Sequence, residues 1–129
     1  MRIFHIASRQ SWMAAAGGAL YDAPSLASEG FIHCSTQSQV LPVARKFYAH
    51  QRGLVLLEID PSRLTAALKW EAPSDSVSPA GVPQGESFPH VYGAINQDAV
   101  VKVWDFEPDE NGEFRLPASM TPEESSKSG

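Results

Sequence analysis

The chain has 129 residues, 43% hydrophobic residues and a formal net charge of −5, which suits one domain with a core of its own and leaves little room for two. The acidic balance argues against a protein that grips nucleic acid across its whole surface. A local basic pocket stays open, because six of the fifteen acidic residues lie at or beyond Glu107. Cys34 is the only cysteine, so no intramolecular disulfide forms and a reducing compartment fits. The start, MRIFHIAS, has no apolar stretch of signal-peptide length. No later run approaches the length of a membrane span. The expectation is a cytoplasmic protein.

Residues 3–7 alternate as a first strand. Ser8 is placed to cap a helix through Trp12 and Ala16, and Gly17-Gly18 stops it. Residues 21–29 read as a connector with one helical turn at Pro24-Ser25-Leu26, and residues 31–34 as a short strand. Ser35 or Thr36 caps the next helix, with Val40, Val43, Ala44, Phe47 and Tyr48 at helical spacing. Pro42 sets its start near Leu41, with the proline in the first turn. Residues 54–59 form the clearest strand, bounded by Gly53 and Asp60-Pro61. Residues 61–67 suit a short helix, and 68–71 another strand. Residues 72–87 hold Pro73, Pro79, Pro83, Gly81 and Gly85 and read as a long loop of the functional-lid type. After residues 88–93 comes a helical turn over 94–99 capped by Asn96, and then a last strand over 100–106. The expectation is a single α+β domain over residues 1–117 and a disordered polar tail over 118–129.

Three of the four histidines sit in apolar settings: Phe4-His5-Ile6, Ile32-His33-Cys34 and Pro89-His90-Val91. A polar ring in such a strand finds a partner or faces a pocket. One such ring is ordinarily structural; three in a short chain point to a shared surface. His50, at a helix end, reads as structural. No spaced metal motif such as HExxH or CxxC is present. His33 and Cys34 are adjacent, so in a strand they face opposite sides and Cys34 falls to the core. Ser35 shares the His33 face and also suits a helix cap. Glu71 and Glu86 flank the long loop, and Glu71, at a strand end, is the stronger candidate base. Trp70 and Tyr92 are each able to stack on a flat ring.

The FHIAS start (residues 4–8), GFIHCS (30–35), KWE (69–71) and FPHVYG (88–93) together resemble a bacterial family of unknown function grouped with the ADP-ribosyltransferase-like fold. The resemblance spans residues 2–106. Its nearest tie is to the RNA 2′-phosphotransferases, which use NAD to remove a phosphate from tRNA. The resemblance implies a split mixed β-sheet with flanking helices and an NAD-type cleft between its halves. His5 matches the first-strand histidine that binds a ribose or the nicotinamide amide. His33 and Ser35 match the second-strand element. The arginines that hold the RNA phosphate in the phosphotransferases have no match here, nor has the glutamate motif of the toxin-like transferases.

The leading expectation is therefore an enzyme of the ADP-ribosyl-transfer or 2′-phosphotransferase type with NAD as cofactor and a small nucleotide as ligand. His33, Glu71 and His90 are its catalytic candidates, and His5, Ser35, Trp70 and Tyr92 its cofactor-binding candidates. The alternatives are a non-catalytic module for a nucleotide or phosphate ligand, and a metal-dependent hydrolase that uses the three histidines. Neither a nucleic acid nor a membrane is expected as a partner.

Overall fold

Both side-chain sets of the first strand are largely apolar, so that strand needs cover on both faces, and the fold supplies it. The computed structural model describes residues 1–73 and 77–120. In chain order the elements are β1 (Ile3–Ser8), α1 (Arg9–Ala14), β2 (Leu20–Tyr21), α2 (Pro24–Glu29), β3 (Ile32–His33), α3 (Gln37–Phe47), β4 (Leu54–Ile59), β5 (Ala67–Glu71), β6 (Phe88–Tyr92), β7 (Ile95–Asn96) and β8 (Val100–Asp105). Single 3₁₀ turns lie at Pro61–Arg63 and Gln97–Ala99. Three sheets result among the described residues: β1-β4-β8, β3-β6-β5 and the two-stranded β2-β7.

The core divides along the alternation of β1. Ile3 and Ala7, with Val55, Leu57 and Ile59 of β4, pack against Ile32, Val91 and Ile95 of the other sheets. Phe4 and Ile6, with Leu54 and Leu56, pack against Val40 and Ala44 of α3 and against Phe106, Phe114 and Met120. β1 and β4 are thus buried on both sides, while β8 forms a largely exposed edge. It meets the second sheet at one antiparallel bridge, Phe4 to Ser35, whose two backbone bonds measure 2.8 and 2.7 Å.

The fold is α+β and its main sheets are split, but every strand pairing among the described residues is antiparallel. The expected mixed sheet is corrected on that point: apart from β5 to β6, each link, such as residues 60–66 from β4 to β5, carries the chain to another sheet, so none joins two parallel neighbours by a crossover. The long third helix begins at Gln37, earlier than the proline suggests. A capping box starts it: Thr36 and Gln39 satisfy each other's backbone N–H groups. Pro42 therefore lies inside the helix, where it leaves the Ser38 carbonyl without its usual donor. Its ring packs toward Gly81, where an added Cβ would stand 3.3 Å from Pro42 Cγ.

The expected helix over 61–67 shrinks to one 3₁₀ turn, and the turn over 94–99 splits into β7 and a second 3₁₀ turn. Asn96 spends its side chain on Thr65, Arg63 and Asp98 instead of capping. The domain boundary at 117 also moves, because Met120 is buried in the second core cluster. The rest of the expected tail lies outside the described residues. No helix among the described residues is long and apolar enough to cross a membrane.

Candidate functional site

The site grows from the register of β3, β6 and β5. His33 stands directly opposite His90, and His90 opposite Lys69. Side chains alternate along a strand, so Phe88, His90 and Tyr92 share one face with Lys69 and Glu71. Ile32, Val91, Leu68, Pro89 and Trp70 take the other, and Ile32 and Val91 are fully buried there against the first sheet. One face of this sheet is core and the other carries the candidate site residues.

On that second face the His33 and His90 rings lie edge to face, centroids 5.6 Å apart. Each holds a carboxylate. His90 Nδ1 donates to Glu71 Oε1 at 2.8 Å, and the Tyr92 hydroxyl donates to the same oxygen at 2.6 Å. The Tyr92 hydroxyl and the His90 ring together hold the Glu71 carboxyl below its ordinary range. The same carboxylate raises the Tyr92 phenol above its own. His33 Nε2 donates to Glu29, 3.1 Å from both oxygens. Phe31 packs over the group, stacked on His90 with centroids 4.2 Å apart and 4.8 Å from the His33 ring. Lys69 Nζ lies 4.8 Å from the Tyr92 ring centre.

Both histidines line a cavity of about 320 Å³. It opens at the junction of the two main sheets, beside the Phe4–Ser35 bridge. Ile6 of β1, Val43 and Phe47 of α3, and Phe88 of β6 make its wall apolar, and Pro73, Val77 and Pro79 of the 72–87 loop add to it. Its polar lining is Glu29, His33, Ser35 and His90, with Tyr48 and Cys34 beside them. Ser35 is 5% exposed and His90 2%. Among the described residues neither the Ser35 hydroxyl nor His90 Nε2 has a hydrogen-bond partner. Two accessible polar atoms of nearly buried residues, without protein partners on a cavity surface, are what a ligand or water satisfies.

The expected site residues fall into three groups. His33, Ser35 and His90 line the cavity together. Glu71 and Tyr92 do not line it; they form the chain of hydrogen bonds that holds His90 from behind. His5 and Trp70 are not brought there. Trp70 neighbours Glu71 in sequence and so faces the opposite side of β5, half-exposed. His5 lies on the inner face of β1. Its Nδ1 donates to the His33 carbonyl at 2.7 Å, which leaves Nε2 to accept from the Tyr21 hydroxyl at 3.2 Å. Burial lowers the His5 ring to about 4 and raises the Tyr21 phenol to about 12. A neutral ring with both nitrogens engaged is a clip between β1 and β3, not a ligand group.

The three-histidine metal centre is corrected by the same fact, since His5 is turned away from the other two. Among the described residues no three His, Cys, Asp or Glu side chains are grouped to hold an ion. Cys34 is buried within the core cluster and also touches the cavity, and burial pushes its thiol up, away from the reactive thiolate. Glu29 and Phe31 are not among the residues that the sequence singles out. The signal for Glu29 was its place four residues before His33; Phe31 gave none, because a phenylalanine beside a strand reads as core.

Residues 6–103 match the family described as Protein of unknown function (DUF952). The chain belongs to that family. Its structure is similar to the crystal structure of the protein CC0527 from Caulobacter crescentus, with a TM-score of 0.75, 31% identity and coverage of 90% of this chain and 95% of that one. The solution NMR structure of CC0527 gives a TM-score of 0.72 at 31% identity, covering 95% and 98%. Among curated proteins none matches.

Proposed function

We propose that this DUF952 protein is an enzyme that transfers or hydrolyses the ribosyl group of an NAD-type nucleotide bound in the cavity. The observation that carries the reading is His90: a nearly fully buried ring, one nitrogen fixed on Glu71 and the other open to the cavity. An imidazole whose tautomer is set by a carboxylate is a general base in waiting.

The residues present fit such a ligand in part and by size. At about 320 Å³ the cavity stands at the small end of ligand sites. It therefore takes the ring-and-ribose end of a dinucleotide and leaves the remainder outside. The apolar walls suit a flat ring and exclude water from the reacting bond. The unpartnered Ser35 hydroxyl suits an amide or a ribose hydroxyl. NAD, when bound, supplies a glycosidic bond already activated by its charged nicotinamide. His90 Nε2 then takes the proton of the attacking hydroxyl or water, while Glu71 steadies the imidazolium and Tyr92 steadies Glu71. The 2′-phosphotransferase variant of this reading lacks support in the cavity lining, which among the described residues contains no arginine or lysine.

The test is thermal stability with NAD and with ADP-ribose at millimolar concentration, joined to chromatographic assay of nicotinamide. Stabilisation by both ligands and nicotinamide release, lowered roughly a hundredfold or more in His90→Gln, are the expected results. No shift with either ligand would sink the reading. A shift without nicotinamide would instead identify a module that holds the nucleotide without cleaving it.

A further inference from the structure

His33 and His90 grip their carboxylates through different nitrogens, Nε2 in His33 and Nδ1 in His90. They also sit at different depths. The side chains of His33 and Glu29 are 42% and 41% exposed, while that of His90 is 3% exposed. Glu29 is the last residue of α2, where a carboxylate opposes the helix dipole and does nothing for the helix. Gly30, at φ +90°, turns the chain back so that β3 brings His33 to that carboxylate. The pair stands at the cavity mouth, in touch with solvent protons, and His90 stands inside.

We propose that Glu29 is a positioning residue that holds His33 as a general acid for the departing base, so that the cavity also cleaves N-ribosides whose base must be protonated to leave: uncharged nucleosides and nucleotides. The inference rests on the ribosyl-transfer reading and adds a substrate class to it. The C1′–N bond breaks and its electron pair passes to the base nitrogen, which takes the Nδ1 proton of the His33 imidazolium while Nε2–H stays on Glu29. Water adds to C1′ through its oxygen and gives up one proton to His90. Exchange at the mouth returns both histidines to their starting states, and the sum is riboside plus water to ribose plus free base. Nicotinamide leaves NAD as a neutral molecule and needs no such proton. Glu29 and His33 therefore matter most where the leaving group is poor.

The experiment uses the full chain and three probes: inosine, NAD and p-nitrophenyl β-D-ribofuranoside, whose phenolate leaves unaided. The unsubstituted protein releases hypoxanthine from inosine. Glu29→Gln and His33→Gln each lower inosine cleavage at least about tenfold more than they lower cleavage of the other two probes, and Glu29→Asp recovers part of the loss. An equal loss on all three probes would mark Glu29 as merely structural and overturn the inference. NAD cleavage without inosine cleavage would overturn it and leave the ribosyl-transfer reading standing. Cleavage of none of the three removes both. Cleavage of inosine but not NAD keeps the acid and removes the NAD reading.

Discussion

At the scale of single residues, His90 and His5 show how neighbours decide what an imidazole does. His90 keeps one nitrogen for the cavity only because Glu71 occupies the other, and Glu71 is itself held by Tyr92. Glu71→Gln replaces an acceptor-only carboxylate with an amide able to donate, so the His90 tautomer is no longer dictated. Nitrogen-15 spectra of the ring are expected to show Nδ1–H for His90 in the unsubstituted protein and a mixture in Glu71→Gln, with turnover lower by roughly ten- to a hundredfold. An unaltered tautomer would show that the carboxylate does not set it. Tyr92→Phe removes the shortest bond to Glu71, and the carboxyl is expected to titrate at a higher pH, read by carbon-13 NMR. His5 is the opposite case, a ring whose work is finished inside the protein. Unfolded, it takes its proton near pH 6.5; folded, only near pH 4. Between those values the unfolded state holds more protons, so the His5 contribution to stability is whole above about pH 6.5 and falls as the pH drops toward 4. The full swing is roughly 3 kcal/mol. Urea unfolding at pH 7 and pH 4.5 is expected to show His5→Gln losing about 2 kcal/mol less than the unsubstituted chain over that interval.

At the scale of elements, α3 does more than cover the first sheet. Gln39 is 1% exposed. Its amide donates to Glu86 at 2.6 Å and to the Ser87 carbonyl at 2.9 Å, while its oxygen accepts from Thr36. One side chain thus ties the start of α3 to the chain just before β6, two residues upstream of the strand positions that lead to His90. Gln39→Ala strands those partners, and a loss of about 2 to 4 kcal/mol in chemical denaturation is expected, with faster amide exchange in residues 86–88. The same helix shows what could be read beforehand. Its apolar spacing and cap were visible in Thr36, Val40 and Ala44, and the strand at 54–59 in its unbroken apolar run. Pro42 misled, because propensity disfavours an interior proline and only packing toward Gly81 accommodates it. The face that carries the candidate site is half legible for a related reason. The histidines stood out as polar rings in apolar strands, yet whether a strand residue faces core or cavity depends on register with strands far along the chain. Nothing near Trp70 says that Glu71 has the useful face. His5 resembled His33 in local setting and differed only in what β3 and Tyr21 bring to it.

At the scale of the molecule, the cavity belongs to neither sheet alone. Ile6 comes from the first and His33, Phe88 and His90 from the second, and the two are joined by the Phe4–Ser35 bridge and the His5 clip. The two histidines ride on the inter-sheet packing, while packing on the α3 side of the first sheet reaches the cavity through the wall residues Ile6, Val43 and Phe47. Ile32 and Leu56 separate the two. Both are fully buried, but Ile32 fills the space between the sheets beside His33, and Leu56 lies in the cluster under α3. Alanine at either position is expected to cost about 2 to 5 kcal/mol, so stability alone does not tell them apart. The histidine signals do. Ile32→Ala frees β3 to shift against β1, and the proton resonances of the His33 and His90 rings are expected to move or broaden. Leu56→Ala leaves the second sheet's register intact, and those resonances are expected to stay where they are. If both substitutions disturb the rings equally, the two clusters behave as one core and the site is held by the whole molecule instead of by the junction between its sheets.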